Sequence, residues 1–335
     1  MAEVKGNSQV RVEPSGKSFG VEAGQSVLEA GLKAGITLKH SCRDGQCGEC
    51  RTRIVSGRVA YADELRDKLI DSDLEGGTGL MCQARPLGDL VIDAPEVTEL
   101  EGISIQKFPV RVMSKQILSD DVVVLRLAPA PGVEFRCMPG QYIDLQLRDG
   151  AKRSYSMAAT DDSGQIELHI RRMPGGVVSG FIYDELKEKA ILTAEGPFGT
   201  FYIRGGDAPI ILTASGTGFA PIKAIVEQLI RDGNARPVQL YWGGRRLVDL
   251  YHHRLCLDWA AELPWLTYVP VLSEEEGVWG GRTGFVHQAV VDDFPDLSGH
   301  EAYVCGAPIV VGSARRDFVE RCSLNPNNFH SDAFV

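Results

Sequence analysis

From Gln9 the chain alternates apolar and polar residues through Val10 and Val12, turns at Pro14-Ser15-Gly16, and alternates again through Phe19 and Val21. A period of two on either side of such a turn predicts a β-hairpin. The spacing then changes: Val27, Leu28, Ala30 and Leu32 make a helical apolar stripe, with Ser26 at the cap, Glu29 at the reciprocal capping position and Gly35 at the end. A glycine- and cysteine-rich loop follows. A strand from Glu49 to Ser56, a polar helical stretch from Ala62 to Asp73 and a strand from Asp89 to Ala94 complete a small α+β unit over residues 1–100. Few apolar residues fall in any period from Pro95 to Gln106, which reads as a linker.

From Phe108 to about Tyr202 short strands dominate: Val110 to Val112, Val122 to Leu127, Tyr142 to Leu147, Ser154 to Ala158 and Ile166 to Arg171, with one helix from Val178 to Leu186. Close strand spacing with turn residues between predicts an antiparallel β-barrel over 105–204. From Pro209 the rhythm becomes an apolar run, Ile210 to Ala214, then a Gly-rich turn, a helix from Pro221 to Arg231, and strands at Val238 to Trp242, Leu266 to Leu272 and Ala302 to Cys305. Strands alternating with helices predict a parallel α/β domain over 205–335.

Composition narrows the function. A chain of 335 residues with 44% hydrophobic content can bury two or three cores, and three domains are expected. A net charge of -10 disfavours a nucleic-acid partner, which needs a basic face. Met1 to Ser8 has no basic and apolar leader, and no apolar run is long enough to span a bilayer, so a soluble cytoplasmic protein, expected to be a monomer, follows. Of eight cysteines, Cys137, Cys256, Cys305 and Cys322 are scattered singly and read as reduced thiols.

The other four carry chemistry. Cys42, Cys47 and Cys50 form C-x4-C-x2-C, with Cys82 downstream. That spacing is the plant-type ferredoxin signature for a 2Fe-2S cluster. Gly45 and Gly48 let the loop wrap and bring backbone N–H groups to the sulfurs. Structural zinc sites use paired C-x2-C units or histidines, which are missing here. His40 lacks the second histidine that a Rieske arrangement requires and reads as a surface or packing residue.

Two further glycine turns stand beside strands. Arg153-Ser154-Tyr155-Ser156 lies on a predicted strand, preceded by Pro139-Gly140-Gln141-Tyr142 and followed by Gly175-Gly176-Val177-Val178-Ser179 at a helix start. Such a start presents free N–H groups to a pyrophosphate. Gly216-Thr217-Gly218-Phe219-Ala220-Pro221 also joins a strand to a helix, and Cys305-Gly306-Ala307-Pro308 follows the last apolar strand. Both lie where open α/β sheets bind ligands. From the residues alone, a core aromatic at Tyr155 and a buried small residue at Cys305 stay open as alternatives.

Together these motifs resemble the ferredoxin-NADP reductase superfamily. R-x-Y-S matches Arg153, Tyr155 and Ser156, and C-G-x-P matches Cys305 to Pro308. The resemblance implies that Arg153 pairs with the FAD pyrophosphate, Tyr155 packs on the flavin and Ser156 bonds near flavin N5. Gly175, Gly176 and Ser179 would form the second phosphate turn, and His169 joins the cofactor-binding set. Glu195-Gly196-Pro197-Phe198-Gly199 looks like the turn closing the flavin domain. Gly216, Thr217, Gly218 and Phe219 would cradle the nicotinamide dinucleotide, with Cys305 and Gly306 against the nicotinamide. Asp332-Ala333-Phe334 matches an acidic-x-aromatic ending, in which Phe334 covers the flavin. Ser156, Cys305 and Asp332 would surround the hydride path.

The order ferredoxin, FAD, nicotinamide is that of reductase components of bacterial multicomponent systems. Gly140 to Ser156, Gly216 to Pro221, Thr283 to Ala289 and Ser331 to Val335 are most similar to its glucoseen-reductase branch. The implied relay runs from NAD(P)H through FAD and the cluster to a redox acceptor protein, either a pyridoxamine-phosphate-dependent sugar dehydrase or an oxygenase component. Alternatives are a stand-alone NADH diaphorase and a redox-sensing binding module. Donor choice turns on Trp242-Gly243-Gly244-Arg245-Arg246 and Asp249, since arginines suit the 2′-phosphate of NADPH and an acid the ribose of NADH. His252-His253 reads as surface helix and Glu274-Glu275-Glu276 as a solvated loop, while Arg43, Arg51, Arg53 and Arg58 suggest docking of an acidic acceptor.

Overall fold

A computed structural model describes residues 7–62, 77–95, 97, 100, 102–160, 164–274 and 279–334. The chain divides into two compact units, Met1–Gly102 and Ile103–Val335.

In the first unit, β1 (Ser8–Glu13) and β2 (Ser18–Val21) form the expected hairpin, with Val10 opposite Phe19. Helix α1 (Val27–Lys33) starts where Ser26 Oγ accepts the Glu29 N–H at 3.2 Å. Then come β3 (Arg51–Ser56), β4 (Val59–Ala60), β5 (Thr78–Leu80), β6 (Arg85–Pro86) and β7 (Leu90–Asp93). The main sheet runs β2-β1-β7-β3-β5, and among the described residues β4 pairs only with β6. Because β1 and β7 are parallel, the chain between them must cross over, and that crossover carries α1 and the cysteine loop. Val10, Val12, Leu28, Leu38, Met81 and Ile92 fill the core. The helical stretch expected from Ala62 to Asp73 falls almost wholly outside the described residues.

The second unit opens with a closed antiparallel barrel. Its strands are β8 (Gln106–Ile117), β9 (Val122–Pro129), β10 (Tyr142–Gln146), β11 (Lys152–Thr160), β12 (Ile166–Arg171) and β13 (Ile191–Phe198), in the order β10-β11-β12-β9-β8-β13. Helix α2 (Val177–Asp184) packs Val178 and Ile182 into the barrel core. Two expectations change here. Strand β8 extends well beyond the expected Val110 to Val112: burial alternates from Phe108 through Met113, after which the register shifts between Val112 and Ser114 and the later half is largely exposed. The stretch Glu195 to Phe198 is strand rather than turn: Tyr142 faces Phe198 while Asp144 faces Glu195, so Gly196-Pro197 sits at a bulge. A bulge is where a strand accommodates proline, which has no N–H for the ladder.

The α/β part comprises β14 (Ile210–Ser215), α3 (Phe219–Arg231), β15 (Val238–Gly244), α4 (His253–Glu262), β16 (Leu266–Leu272), β17 (Arg282–Thr283), α5 (Val286–Asp293), β18 (Glu301–Gly306), α6 (Pro308–Glu320) and β19 (Phe329–Ala333). All neighbours are parallel, in the order β17-β16-β15-β14-β18-β19. The order reverses at β14 and β18, which opens a crevice at their carboxyl ends. Helix α3 packs its apolar side on this sheet and also lies along barrel strand β11. Among the described residues no helix is long and apolar enough to cross a membrane, and all eight cysteines are free of disulfides.

Candidate cofactor and hydride-transfer sites

The cysteine loop wraps through left-handed backbone at Arg43, Gly45 and Gly48. Asp44 Oδ1 accepts the Gln46 N–H at 3.2 Å and steadies the turn. The Cys47 N–H then donates to Cys42 Sγ at 3.3 Å, and the Glu49 N–H to Cys47 Sγ at 3.4 Å. Cys82, just past β5, brings its sulfur to 3.2 Å from Cys50 Sγ, while the Gln83 side chain donates to the Arg43 carbonyl at 2.8 Å. The thiols therefore stand two by two. Hydrogen bonding from the Cys47 thiol holds Cys42 below the usual thiol range, and the same bond, with burial, pushes Cys47 up. Two irons need two thiolate pairs with backbone donors on the sulfurs, so this loop fits a 2Fe-2S cluster. Among the described residues no three ligand-type side chains meet as a single-ion site requires. His40 is buried, with Nδ1 2.8 Å from the Leu38 carbonyl, and burial lowers it to about 4. It is a packing residue.

On β11, Arg153 is exposed, Tyr155 half-buried and Ser156 buried. The Tyr155 hydroxyl is enclosed without a hydrogen-bond partner among the described residues, and burial raises it above the usual phenol range. An orphaned buried hydroxyl beside an exposed cation fits a bound flavin dinucleotide. Gly175 is left-handed, and Gly176 caps α2 with no side-chain bond and no acid in the first turn, leaving the helix start open to an anion. Ser179 Oγ accepts the Met173 N–H at 3.1 Å, so this hydroxyl closes the turn.

At the sheet crevice, residues Gly216 to Gly218 form one short 3-10 turn, and the Trp242 indole N–H donates to the Gly216 carbonyl at 3.0 Å. A Cβ on Gly218 would run into the Cys305 carbonyl, and one on Gly306 would lie 2.8 Å from Ser215 Cβ. Glycine is required where these two strand ends touch. Cys305 is fully buried and its thiol is pushed up, first by burial and then by the Asp332 carboxylate. Asp332 lies opposite Cys305 in the β18–β19 register, and Ser156 Oγ donates to Asp332 Oδ2 at 2.9 Å. Thus Ser156, Cys305 and Asp332, which are far apart in the chain, meet where barrel and sheet join. The Phe334 N–H donates to the Gly306 carbonyl at 2.9 Å, which anchors the terminal segment there.

Three residues differ from the sequence-based picture. Phe219 is fully buried and stacks on Trp242 with ring centroids 3.9 Å apart, so its side chain packs the sheet. His169 has both ring nitrogens engaged, with Glu167 at 3.0 Å and Tyr251 at 2.9 Å, inside the seam between barrel and sheet. His252 is half-buried with its ring 5.2 Å from that of His169, rather than on a surface helix. Asp249 is also committed: its Oδ2 accepts the N–H groups of Arg245 and Arg246, both at 3.0 Å. One functional candidate escaped sequence reasoning. Arg171, at the end of β12, places Nη1 3.1 Å from where a Gly216 Cβ would stand. Its only sequence signal is its position ending a barrel strand.

Family models match three successive regions: a 2Fe-2S iron-sulfur cluster binding domain at residues 10–87, an oxidoreductase FAD-binding domain at 109–203 and an oxidoreductase NAD-binding domain at 212–316. The CDP-6-deoxy-L-threo-D-glycero-4-hexulose-3-dehydrase reductase of Yersinia pestis is 39% identical over 97% of this chain and 98% of its own. The chain belongs to the ferredoxin-NADP reductase family, in the branch with an N-terminal 2Fe-2S domain. Another member of this branch, the ferredoxin–NAD(P)(+) reductase component of the naphthalene 1,2-dioxygenase system of Pseudomonas putida, is 31% identical over 97% of this chain and 98% of its own. Among solved structures, the Amycolatopsis cytochrome P450 reductase GcoB superposes with a TM-score of 0.79 at 33% identity, covering 98% of each chain. As a reductase of this family, the chain is an NAD(P)H-dependent oxidoreductase that uses FAD and a 2Fe-2S cluster.

Proposed function

We propose that this reductase delivers single electrons from its cluster to a partner dehydrase acting on a nucleotide-linked deoxyhexulose. The relay has three domains, 1–100, 105–204 and 205–335, in a monomeric chain. The observation that carries the site is the 2.9 Å bond between Ser156 and Asp332 beside Cys305, which joins the barrel strand to the ends of the nucleotide sheet. Similarity across almost the full length to a hexulose-dehydrase reductase supports the acceptor. FAD, when bound, supplies the exchange between a hydride and single electrons, and the cluster supplies the outlet.

The residues arrange and protect that exchange. Arg153 and the open start of α2 receive the flavin pyrophosphate, and Tyr155 supplies a hydroxyl with bonding capacity to spare. Ser156 donates its hydroxyl hydrogen bond to Asp332, which fixes the serine oxygen beside the path a hydride would take to a bound flavin. Cys305, held neutral by burial, forms a small uncharged wall for the nicotinamide. With Ser156 and Asp332 also buried, water is excluded where a hydride must pass. Gly216 to Gly218 let the dinucleotide approach the backbone, and Arg171 adds a cation over that turn. Phe334, anchored to Gly306, would supply the aromatic cover for a bound flavin.

Anaerobic titration with NADH and with NADPH should bleach the flavin and then the cluster. Activity should follow on adding a pyridoxamine-phosphate-dependent 3-dehydrase. A reduced protein that passes no electrons to such a dehydrase, yet turns over an oxygenase component, establishes the second reading. That reading has its own support, in the 31% identity to a dioxygenase reductase component and the likeness to GcoB.

A further inference from the structure

Strand β12 turns Ile166, Leu168 and Ile170 into the barrel core, and so turns Glu167, His169 and Arg171 outward. An outward row on a barrel is ordinarily solvated. Here Glu167 and His169 are 8% and 4% exposed, because the nucleotide half of the unit covers them. Glu167 Oε2 accepts from Arg126 Nε at 3.0 Å on the neighbouring barrel strand, while Oε1 lies 3.2 Å from Lys223 Nζ and 3.0 Å from His169 Nε2. Lys223 belongs to α3, where it also donates to Glu227 Oε1 at 2.7 Å. With the His169 Nε2–H donating to Glu167, Nδ1 accepts the Tyr251 hydroxyl at 2.9 Å. Tyr251 in turn stands edge-on to Trp242, which holds the Gly216 carbonyl.

The branches of this network converge on the nucleotide turn and tie it to the flavin strand. Lys223 sits on the helix that begins at the Gly216 to Gly218 turn, Tyr251 braces the tryptophan bonded to that turn, and α3 lies along β11, the strand of Tyr155 and Ser156. Removing one partner of a buried charged pair leaves the other unpaired, so such a network holds its elements in one arrangement.

We propose that Glu167, His169, Lys223 and Tyr251 are positioning residues, which fix the nucleotide turn against the flavin strand and thereby set the distance for hydride transfer. The inference rests on the reading of Ser156 and Cys305 as the transfer site. It makes the seam a determinant of rate rather than of nucleotide affinity.

The test is anaerobic stopped-flow reduction of the full-length, FAD-loaded protein over a range of NADH concentrations. In Lys223→Met the flavin reduction rate at saturating NADH should fall about ten-fold or more while half-saturation moves less than about three-fold, since a small misplacement costs rate before binding. Tyr251→Phe, which removes one hydroxyl, should shift the rate in the same direction, and Lys223→Arg should stay within about three-fold of the parent. If Lys223→Met does not fold, Tyr251→Phe decides by the same criterion. An unchanged saturating rate in FAD-loaded variants, or a loss confined to NADH affinity, overturns the proposal. A parent protein whose flavin is bleached by neither NADH nor NADPH would instead remove the reading beneath it.

Discussion

Asp249, in the loop expected to choose the donor, is committed to the backbone of that loop. Its carboxylate takes the two backbone N–H groups of Arg245 and Arg246, and its side chain is almost entirely enclosed. Asp249→Ala leaves both amides without that acceptor, at about 1–3 kcal/mol for a buried unpaired group. KM should therefore rise for NADH and NADPH by the same factor, between about five-fold and about 150-fold if the whole cost falls on binding. Steady-state kinetics with both donors check this, and a selective loss of NADH would show that the carboxylate does meet the ribose. The same distinction explains what sequence reasoning found at this scale. Cys42, Cys47, Cys50 and Cys82 follow ligand spacing, Gly218 the Cys305 carbonyl that a Cβ would strike, and Gly216 its left-handed backbone, all of which a short motif expresses directly. His169, Phe219 and Asp249 carry equally suitable chemistry, but their partners Tyr251, Trp242 and two backbone amides are chosen by the fold. Arg171 was missed for the converse reason: nothing local marks a strand-end arginine that reaches a distant glycine turn.

At the scale of elements, periodicity was readable wherever one face of a strand or helix meets one core. The hairpin and α1 have that character; β12 alternates in sequence although both its faces are buried, and β14 is legible as a continuous apolar run because both its faces are covered. Readability failed at the bulges of β8 and β13, where one extra residue reverses the alternation. The seam beside β12 makes an element-level prediction about pH. Burial lowers His169 and takes His252 to about 4, with their rings 5.2 Å apart and Lys223, Arg126 and Tyr251 around them. Burial alone would raise Glu167, but the bond from His169 and the Lys223 charge hold it below the carboxylate range, so it stays ionised through the window. Both histidines are therefore neutral when folded and take up protons readily only when unfolded. Between about pH 6.5 and 4 the unfolded chain binds more protons, so stability should fall with acidification and level off above about pH 6.5. Thermal melts of the full chain at steps from pH 7.5 to 4.5 should show this fall, and His252→Gln should reduce its slope. An identical slope in that variant would place the acid sensitivity elsewhere.

For the whole molecule, the two compact units divide the chemistry: the cysteine loop lies in Met1–Gly102, while the flavin strand and nucleotide sheet lie in Ile103–Val335. Each has its own buried core, so a change of ligand in one need not disturb the other. Cys47→Ser replaces a sulfur that accepts the Glu49 N–H by a harder oxygen and removes one of four thiolates. Reduction of a protein acceptor, which needs the one-electron outlet, should then fall to background. NADH-dependent reduction of ferricyanide, a small acceptor able to take electrons at the flavin, should stay within about two-fold of the parent, because no group around the hydride path has changed. The measurement is a ratio of the two activities in FAD-loaded protein, with visible spectra reporting the loss of the cluster bands. Parallel loss of both activities would mean that the units do not divide the reaction. Retention of both would mean that electrons reach the protein acceptor from the flavin directly. Arginines 43 and 51 extend the same argument to the partner, since one lies within the loop and the other directly follows Cys50. Reversing both charges should weaken delivery to an acidic acceptor most at low ionic strength and leave ferricyanide reduction alone, because charges around an electron outlet act mainly on encounter.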